Sequence, residues 1–332
     1  MLKRILFGIL LVCTTVSCTK NQKPIVNNEE VIPFLSKELL NEKSGIKQVE
    51  DDITFWSSKL KENNTPIYKL KLASAYQTKF GITKDVSFLA KADELLKESN
   101  NYYKEQNAGV LQALAQLSIT KHDFRSAIDY AEKALLVGED KLLSYMIIYD
   151  ASMETGEFEH AKYILENEIT NTASFNYLIR RSQFEDYSGN ASKSISALEK
   201  GAERIDYSSS LSAWAQSNLG DRLGHEGNVP KSYKMFIGAL NQKNSGASYL
   251  HSLKGIAYIA YAHDGNTELA KEILDFVSSS LESPDSYLMY AEIAEYEGNE
   301  EKKEEYLRVF YEEASDPKYY GMYDAELIQL AA

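Results

Sequence analysis

Two stretches of the sequence share one pattern, HDFRSAIDYAEKA at residues 122–134 and GEFEHAKYIL at residues 156–165. Ala127 and Ala161 hold the same place in the two stretches and are 34 residues apart. Apolar and small residues precede each stretch at spacings of three and four, namely Leu111, Leu114, Ala115 and Ser118, and then Tyr145, Ile148, Tyr149 and Ser152. Such spacings place side chains on one face of an α-helix. Each unit is therefore predicted to consist of two helices joined by a tight turn.

The turn recurs further along the chain as a Gly-Asn pair. It is found at Gly189-Asn190, Gly227-Asn228, Gly265-Asn266 and Gly298-Asn299. Glycine permits the left-handed backbone that a short turn between helices needs. Five residues after these glycines come Ser194, Ser232, Ala270 and Lys303, and the first three are small enough for two helices to approach closely. A repeated unit of this length is typical of helical repeat proteins.

The pattern resembles the tetratricopeptide repeat family, whose consensus has Leu-Gly in the first helix and Ala-x3-Phe in the second. The closest matches are Leu219-Gly220 and the segment from Ser232 to Phe236. The resemblance covers residues 108–316 as six repeats, although Lys303 replaces a small residue and the first-helix tryptophan and nearly all closing prolines are missing. It implies an all-α fold, a right-handed helical solenoid of stacked antiparallel helix pairs with a concave ligand groove.

The flanking segments are predicted to complete this solenoid. Residues 31–107 are expected to hold N-terminal helices and a degenerate repeat formed by residues 67–76 and 86–96. Ile53, Trp56 and Leu60 mark an amphipathic helix, and residues 32–40 are its expected partner in an N-terminal cap. Residues 317–332 are expected to form a C-terminal capping helix over the last repeat, because solenoids need capped ends.

The first 17 residues have the features of an export signal. Lys3 and Arg4 precede nine apolar residues at positions 5–13, and small residues precede Cys18. Nine residues cannot span a bilayer, which needs about 18. The sequence Val16-Ser17-Cys18 resembles the lipobox of bacterial lipoproteins, although Thr15 takes the place of the usual leucine. The resemblance implies cleavage before Cys18 and attachment of acyl chains, such as palmitate, to Cys18.

Cysteine usage favours acylation of Cys18. Cys13 would be removed with the leader, which leaves Cys18 as a lone thiol in an oxidising compartment unless it carries lipid. The alternative is ordinary signal cleavage with an incidental cysteine. Residues 18–30 are polar and are expected to form a flexible tether. Because Thr19 follows Cys18, the enterobacterial sorting rule predicts an outer-membrane lipoprotein of the bacterial cell envelope.

Composition argues against several classes of function. Asp and Glu number 49 against 36 Lys and Arg, and a net charge of −13 does not suit a nucleic-acid partner, because phosphate binding needs a basic surface. The sequence contains no phosphate-binding glycine loop, no helical zinc spacing of histidines and no Gly-x-Ser-x-Gly. We therefore expect no enzyme, with no catalytic residues, no cofactor and no metal site.

The family resemblance also implies a set of groove residues. In that family the groove is lined by first-helix residues that face away from the second helix. Transferred by phase, these positions are Gln112, Gln116, Asp150, Asn176, Arg180, Gln183, Trp214, Asn218 and Asp221. Arg180 is the only cation among them, and it would either hold a carboxylate of a partner or pair with Asp150 or Asp221 and stabilise the stack. The groove set could equally be an ordinary hydrated surface.

The function predicted from these features is that of a membrane-anchored, exported lipoprotein that binds a protein or peptide partner as a scaffold. The alternative is a lipoprotein that captures a carbohydrate or another small molecule. That alternative needs an aromatic-lined pocket, for which Trp214 and nearby tyrosines are the candidates.

Overall fold

The computed structural model describes residues 23–207 and 209–331, so the predicted signal peptide and Cys18 lie outside the described residues. The described chain is all-α and contains no strand. No helix in this part of the chain is long and apolar enough to cross a membrane.

Fourteen of the helices form seven consecutive antiparallel pairs. Three helices come before them, α1 (Asn28–Val31), α2 (Lys37–Ser44) and α3 (Ile46–Glu62). The pairs are α4 (Pro66–Thr83) with α5 (Ser87–Tyr102), α6 (Ala108–Thr120) with α7 (Phe124–Val137), α8 (Lys141–Glu154) with α9 (Phe158–Asn167), α10 (Phe175–Tyr187) with α11 (Ala191–Ala202), α12 (Ser210–His225) with α13 (Val229–Asn241), α14 (Ser248–Ala262) with α15 (Thr267–Ser278), and α16 (Asp285–Tyr296) with α17 (Glu300–Ala314). Each pair stacks on the next, which confirms the solenoid predicted from the sequence.

The inter-helix turns have the predicted geometry. The glycines of five turns all adopt a positive φ between +70° and +79°, and they are Gly156, Gly189, Gly227, Gly265 and Gly298. A side chain strains this left-handed backbone, so glycine is favoured there. The small residues early in the second helices are fully buried, and the Ser232 hydroxyl donates a 2.7 Å hydrogen bond to the carbonyl of Gly220 in the first helix. Small side chains therefore allow the two helices of a pair to pack closely.

The N-terminal segment does not form the predicted cap. Helix α3 packs against α4, but residues 32–40 are not its partner. Phe34 and Leu40 are instead buried against α13, α14 and α15, and the Tyr249 hydroxyl donates a 2.7 Å hydrogen bond to the Phe34 carbonyl. At the end of α2 the Lys43 carbonyl accepts a hydrogen bond from the backbone N–H of Ser245. The predicted pairing was wrong because contacts with residues some 200 positions away outweigh the local ones.

The flexible tether predicted for residues 18–30 is also wrong from Ile25 onwards. Val26 is buried in the same core cluster, and the backbone N–H groups of Ile25 and Val26 bind the Asp264 carboxylate. Residues 18–22 lie outside the described part of the chain. Any tether is therefore shorter than the sequence indicated.

The C-terminal cap differs from the prediction as well. Helix α18 (Asp324–Ala331) buries no residue, whereas the preceding segment 317–323 makes the packing contacts. Tyr323 packs edge-on against Phe310 of the last repeat. Met322 packs on the cluster of α4, α5 and α6, and the Lys121 ammonium lies 4.3 Å from the Tyr320 ring centroid. The segment therefore joins the last repeat to the first ones.

A backbone contact closes the solenoid at the same place. The N–H of Glu282, between α15 and α16, donates a 2.9 Å hydrogen bond to the carbonyl of Thr83 at the end of α4. The loop between the sixth and seventh helix pairs thus contacts the end of the first helix of the first pair.

Candidate binding groove

The first helices α8, α10 and α12 border a cavity of about 260 Å³. We call it the polar cavity, and it is lined by Asp150, Ile179, Arg180, Ser182, Gln183, Leu198, Trp214, Asn218 and Arg222. Five of the nine residues predicted by phase therefore meet in one place. The helical period explains this result, because positions in equivalent phase on neighbouring first helices must face the same side.

Arg180 is held by the solenoid itself. One guanidinium nitrogen lies 2.5 Å from a carboxylate oxygen of Asp150, and another donates to the Asn176 carbonyl at 3.1 Å. The guanidinium also lies 6.0 Å from the ring centroid of Tyr149, whose hydroxyl donates to the Arg180 carbonyl at 2.7 Å. Arg180 is only 9% exposed. Of the two roles predicted from the sequence, this geometry matches the structural pairing with Asp150.

Burial shapes the protonation of this cluster. Desolvation raises the pKa of Asp150 above its ordinary value, and the Arg180 guanidinium acts in the opposite direction. Burial likewise raises the pKa of the Tyr149 phenol, which keeps its proton for the hydrogen bond to Arg180. The cluster therefore connects α8 to α10 by an ion pair and a phenol hydrogen bond.

The other four predicted residues lie elsewhere. Gln112 is buried, and its amide nitrogen donates to the Asp140 carbonyl at 2.9 Å and lies 3.0 Å from the Ser144 hydroxyl, so it connects α6 to α8 instead of facing a ligand. Gln116 and Asn176 are exposed but do not line the polar cavity. Asp221 faces the opposite side of α12.

Arg222 is a groove residue that the sequence analysis missed. It lines the polar cavity together with Asn218, which lies one helical turn earlier on the same face of α12. Arg222 pairs with Asp186, and burial lowers the pKa of its guanidinium from the ordinary value. Arg180 is therefore not the only groove cation, and the spacing of four from Asn218 was the signal for Arg222.

A larger cavity, of about 640 Å³, lies on the other side of α12, against α13 and α14. We call it the glycine cavity, and it is lined by Gly220, Asp221, Gly224, His225, Val229, Ser232, Phe236, Gly255, Tyr258, Ile259, Ala262 and His263. The two cavities share α12 as a common wall. Together they form what we call the binding groove.

The glycine cavity exists because two helices lack side chains at the critical positions. The buried Phe236 ring of α13 fits between Gly220 of α12 and Gly255 of α14. A Cβ atom added to Gly220 would lie 2.6 Å from this ring, and one added to Gly255 would lie closer still. Phe236 therefore forms the floor of the cavity, and both glycines are sterically required.

The rim of the glycine cavity is polar. A carboxylate oxygen of Asp221 lies 2.8 Å from Nε2 of His251, and Nδ1 of His263 lies 2.8 Å from Asp264. Tyr258 is 55% exposed at this rim. An apolar floor with a polar rim suits an apolar side chain whose backbone remains hydrogen-bonded.

The described side chains show no group of three or more His, Cys, Asp or Glu residues that could hold a metal ion. The binding groove presents the amides of Gln183 and Asn218, the guanidinium of Arg222 and an apolar floor.

Comparison with known proteins identifies the fold. No protein-family model matches the sequence, and neither does any curated protein. Among solved structures, the Rap protein complexed with competence and sporulation factor is 14% identical, with a TM-score of 0.57 over 90% of this chain and 86% of that chain. Human IFIT1, solved as a dimer with PPP-AAAA, is 14% identical with a TM-score of 0.53, covering 82% of this chain and 70% of that one.

A third similar structure belongs to the Cut9–Hcn1 hetero-tetramer of the APC/C. It is 10% identical with a TM-score of 0.55, and the match covers 92% of this chain but only 56% of that chain. At these identities the comparisons establish the fold, which is of the tetratricopeptide type.

Proposed function

We propose that this protein is an exported, lipid-anchored scaffold that binds an extended peptide segment of a partner protein in its binding groove. The tetratricopeptide-type fold supports a protein-binding scaffold. The residues before Cys18 support export and acylation. The sequence contains no catalytic motif, and we propose that the protein acts by binding alone.

The observation that carries the proposal is the pair of unlike cavities on either side of α12. The glycine cavity, with Phe236 as its floor, offers an apolar site of a size that suits one or two side chains. The polar cavity, next to it, offers the amides of Gln183 and Asn218 and the guanidinium of Arg222. A peptide needs both kinds of site, because apolar side chains provide burial while its backbone and carboxylates need hydrogen-bond partners.

The similar structures agree with a protein partner. The Rap protein was solved with competence and sporulation factor, and Cut9 was solved with Hcn1. For the present chain, these similarities support only the kind of partner, which is a protein or peptide.

Capture of a carbohydrate or another small molecule is the competing function. Trp214 is the aromatic residue that lines the polar cavity, and its ring packs edge-on against Phe175 at a centroid distance of 5.9 Å. The remaining lining of that cavity is polar or aliphatic. The polar cavity therefore offers a sugar ring a single stacking face among polar and aliphatic side chains, and this lining favours a peptide.

Obstruction of the glycine cavity tests the proposal. Ala262 is exposed and lines the cavity, so Ala262→Trp should fill the space without disturbing the core. Pull-down from solubilised membranes with the wild type should recover a partner that Ala262→Trp loses. The matched control is Ala173→Trp in the exposed α9–α10 loop, which should keep the partner. Equal recovery by Ala262→Trp would show that the partner binds elsewhere.

Acylation has its own test. Cells supplied with a labelled fatty acid should incorporate it into the wild type and into Cys13→Ser, but not into Cys18→Ser. Cys13→Ser is the matched control because Cys13 would be removed with the signal peptide. Label in Cys18→Ser at the wild-type level would overturn the lipoprotein assignment.

A further inference from the structure

The N-terminal chain is fastened to the solenoid at one turn. The backbone N–H of Ile25 lies 3.1 and 3.0 Å from the two carboxylate oxygens of Asp264, and the N–H of Val26 donates to one of them at 2.8 Å. The Asp264 side chain, at the α14–α15 turn, is only 3% exposed. Hydrogen bonds to a carboxylate that is shielded from water are strong. The position of Ile25 relative to the helices is therefore fixed.

The chain between this clamp and Cys18 is short. Ile25 follows Cys18 by seven residues. Seven residues span at most about 25 Å when fully extended and about 15 Å on average when flexible. Helix α14, with 15 residues, is about 22 Å long. The average reach of the tether is thus shorter than a helix, so we expect residue 18 to stay nearer the end of the helices at which Asp264 lies than the opposite end.

The two ends of the helices can be named from this geometry. The turn edge comprises the α14–α15 turn, residues 263–266, and the adjoining α16–α17 turn, residues 297–299. The two turns are neighbours, because a Cβ atom on Gly265 would lie 3.0 Å from the hydroxyl of Tyr296. The loop edge is the opposite end of the same helices and includes the α13–α14 loop with the exposed Lys243.

We propose that the turn edge of the solenoid faces the bilayer and that the loop edge points away from it. The inference rests on the proposed acylation of Cys18, and it adds a fixed orientation to that anchoring. The clamp at Asp264 and the seven-residue tether together set this orientation. In this orientation the first helices stand roughly perpendicular to the membrane. The opening of the binding groove then faces sideways, along the membrane surface.

The side chains at the turn edge suit a position near lipid headgroups. Tyr296 is 54% exposed, and its ring lies 6.2 Å from that of Tyr261, which in turn lies 5.4 Å from that of Tyr258. Tyrosine combines an apolar ring with a polar hydroxyl, and it is enriched at the membrane interface for this reason.

Charge does not hold the turn edge on the membrane. Glu268 and Glu297 flank Lys271 there, and the whole chain has a net charge of −13. Anionic lipids would repel such a protein. Contact with the bilayer therefore depends on the lipid and the short tether, and the Cys18→Ser protein should not bind vesicles.

Energy transfer to the membrane surface tests the orientation. A donor dye is placed on Glu268→Cys at the turn edge or on Lys243→Cys at the loop edge; acylated Cys18 leaves the introduced cysteine as the only free thiol. The acylated protein is reconstituted in phosphatidylcholine vesicles that carry a headgroup-linked acceptor. Transfer should be at least about twofold greater from position 268, because the two edges are separated by the roughly 20 Å length of a helix.

A lengthened tether provides the control. Twenty Gly-Ser residues inserted between Asn21 and Gln22 leave the clamp intact but extend the average reach to about 30 Å, so the twofold difference should disappear. Equal transfer from positions 268 and 243 in the original protein would overturn the orientation while leaving the anchoring intact. A wild-type protein that carries no acyl chain and does not bind the vesicles would overturn the anchoring, and the orientation with it.

Discussion

The polar cavity and the glycine cavity share helix α12 but are built in opposite ways. In the polar cavity the charged groups are satisfied by one another, since Arg180 is bound to Asp150 and Arg222 to Asp186. In the glycine cavity the shape comes from side chains that are missing at Gly220 and Gly255. The first cavity therefore owes its rigidity to pairing, whereas the second owes its volume to close packing around Phe236. Substitutions in the two cavities should accordingly differ in their effects on stability and on binding.

The largest effect is expected for Phe236→Ala. The ring is buried between Gly220 and Gly255, and its removal leaves a void that the glycines cannot fill. The free energy of unfolding should fall by about 3–5 kcal/mol, measured by urea denaturation. Phe55→Ala is the matched control, because the Phe55 ring is half exposed and should cost less than about 1 kcal/mol. Similar losses for both variants would mean that Phe236 is not the structural floor of the cavity.

The next effect concerns the space around the same ring. Gly255→Ala places a methyl group against Phe236 and should destabilise the protein by about 1–3 kcal/mol. Adding Phe236→Leu should relieve part of this cost, so that the two substitutions are not additive. Gly109→Ala is the control, because the nearest atom to an added Cβ is 3.5 Å away and alanine favours the helix. A Gly255→Ala protein as stable as Gly109→Ala would contradict the steric argument.

Arg180→Ala tests the pairing in the polar cavity. The variant loses the bond to Asp150 and the contact with the Tyr149 ring. The Asp150 side chain is 37% exposed, so water can partly solvate the carboxylate that has lost its guanidinium partner. The free energy of unfolding should therefore fall by about 1–2 kcal/mol, which is less than for a fully buried pair. The melting temperature should fall, and partner affinity should fall only as a consequence. Lost affinity with an unchanged melting temperature would instead show that Arg180 contacts the partner.

The smallest effect on stability is expected for Arg222→Gln. Its pair with Asp186 is partly exposed, and such pairs contribute about 0–1 kcal/mol. If the guanidinium binds a carboxylate or carbonyl of the peptide, Arg222→Gln loses that charged hydrogen bond. Partner affinity should then fall by about tenfold, which corresponds to about 1.4 kcal/mol. Titration of the partner against both proteins measures it. Unchanged affinity would place the peptide outside the polar cavity.

The same contrast explains what the sequence alone could predict. Helical phase brought Asp150, Arg180 and Trp214 together correctly, because the period of a helix fixes which face a residue occupies. Helical phase could not predict that the Gln112 amide would donate to the Asp140 carbonyl and be buried there. Asp140 lies in a loop, and the course of a loop has no regular period in the sequence. Gly220 and Phe236 stood out in the sequence only as matches to the repeat consensus, and nothing there indicated that Gly255 would complete a cavity with them.

Long-range packing limited the prediction at the two ends of the chain. Phe34 and Leu40 belong to the segment predicted to form a local N-terminal cap, but they are buried against helices more than 190 residues away. Met322 likewise packs on the first repeats instead of the last one alone. These contacts depend on how far the solenoid curves, which no local pattern in the sequence records.

The central claim is that the binding groove holds the partner, and site-specific photo-crosslinking in cells tests it most directly. A photoreactive residue is placed at Asn218 in the polar cavity, at Tyr258 on the rim of the glycine cavity, or at the exposed Lys162 of α9 as a control. The account predicts that the same partner crosslinks from positions 218 and 258 and not from 162. Crosslinking from position 162, with none from 218 or 258, would place the binding site outside the groove and contradict the account.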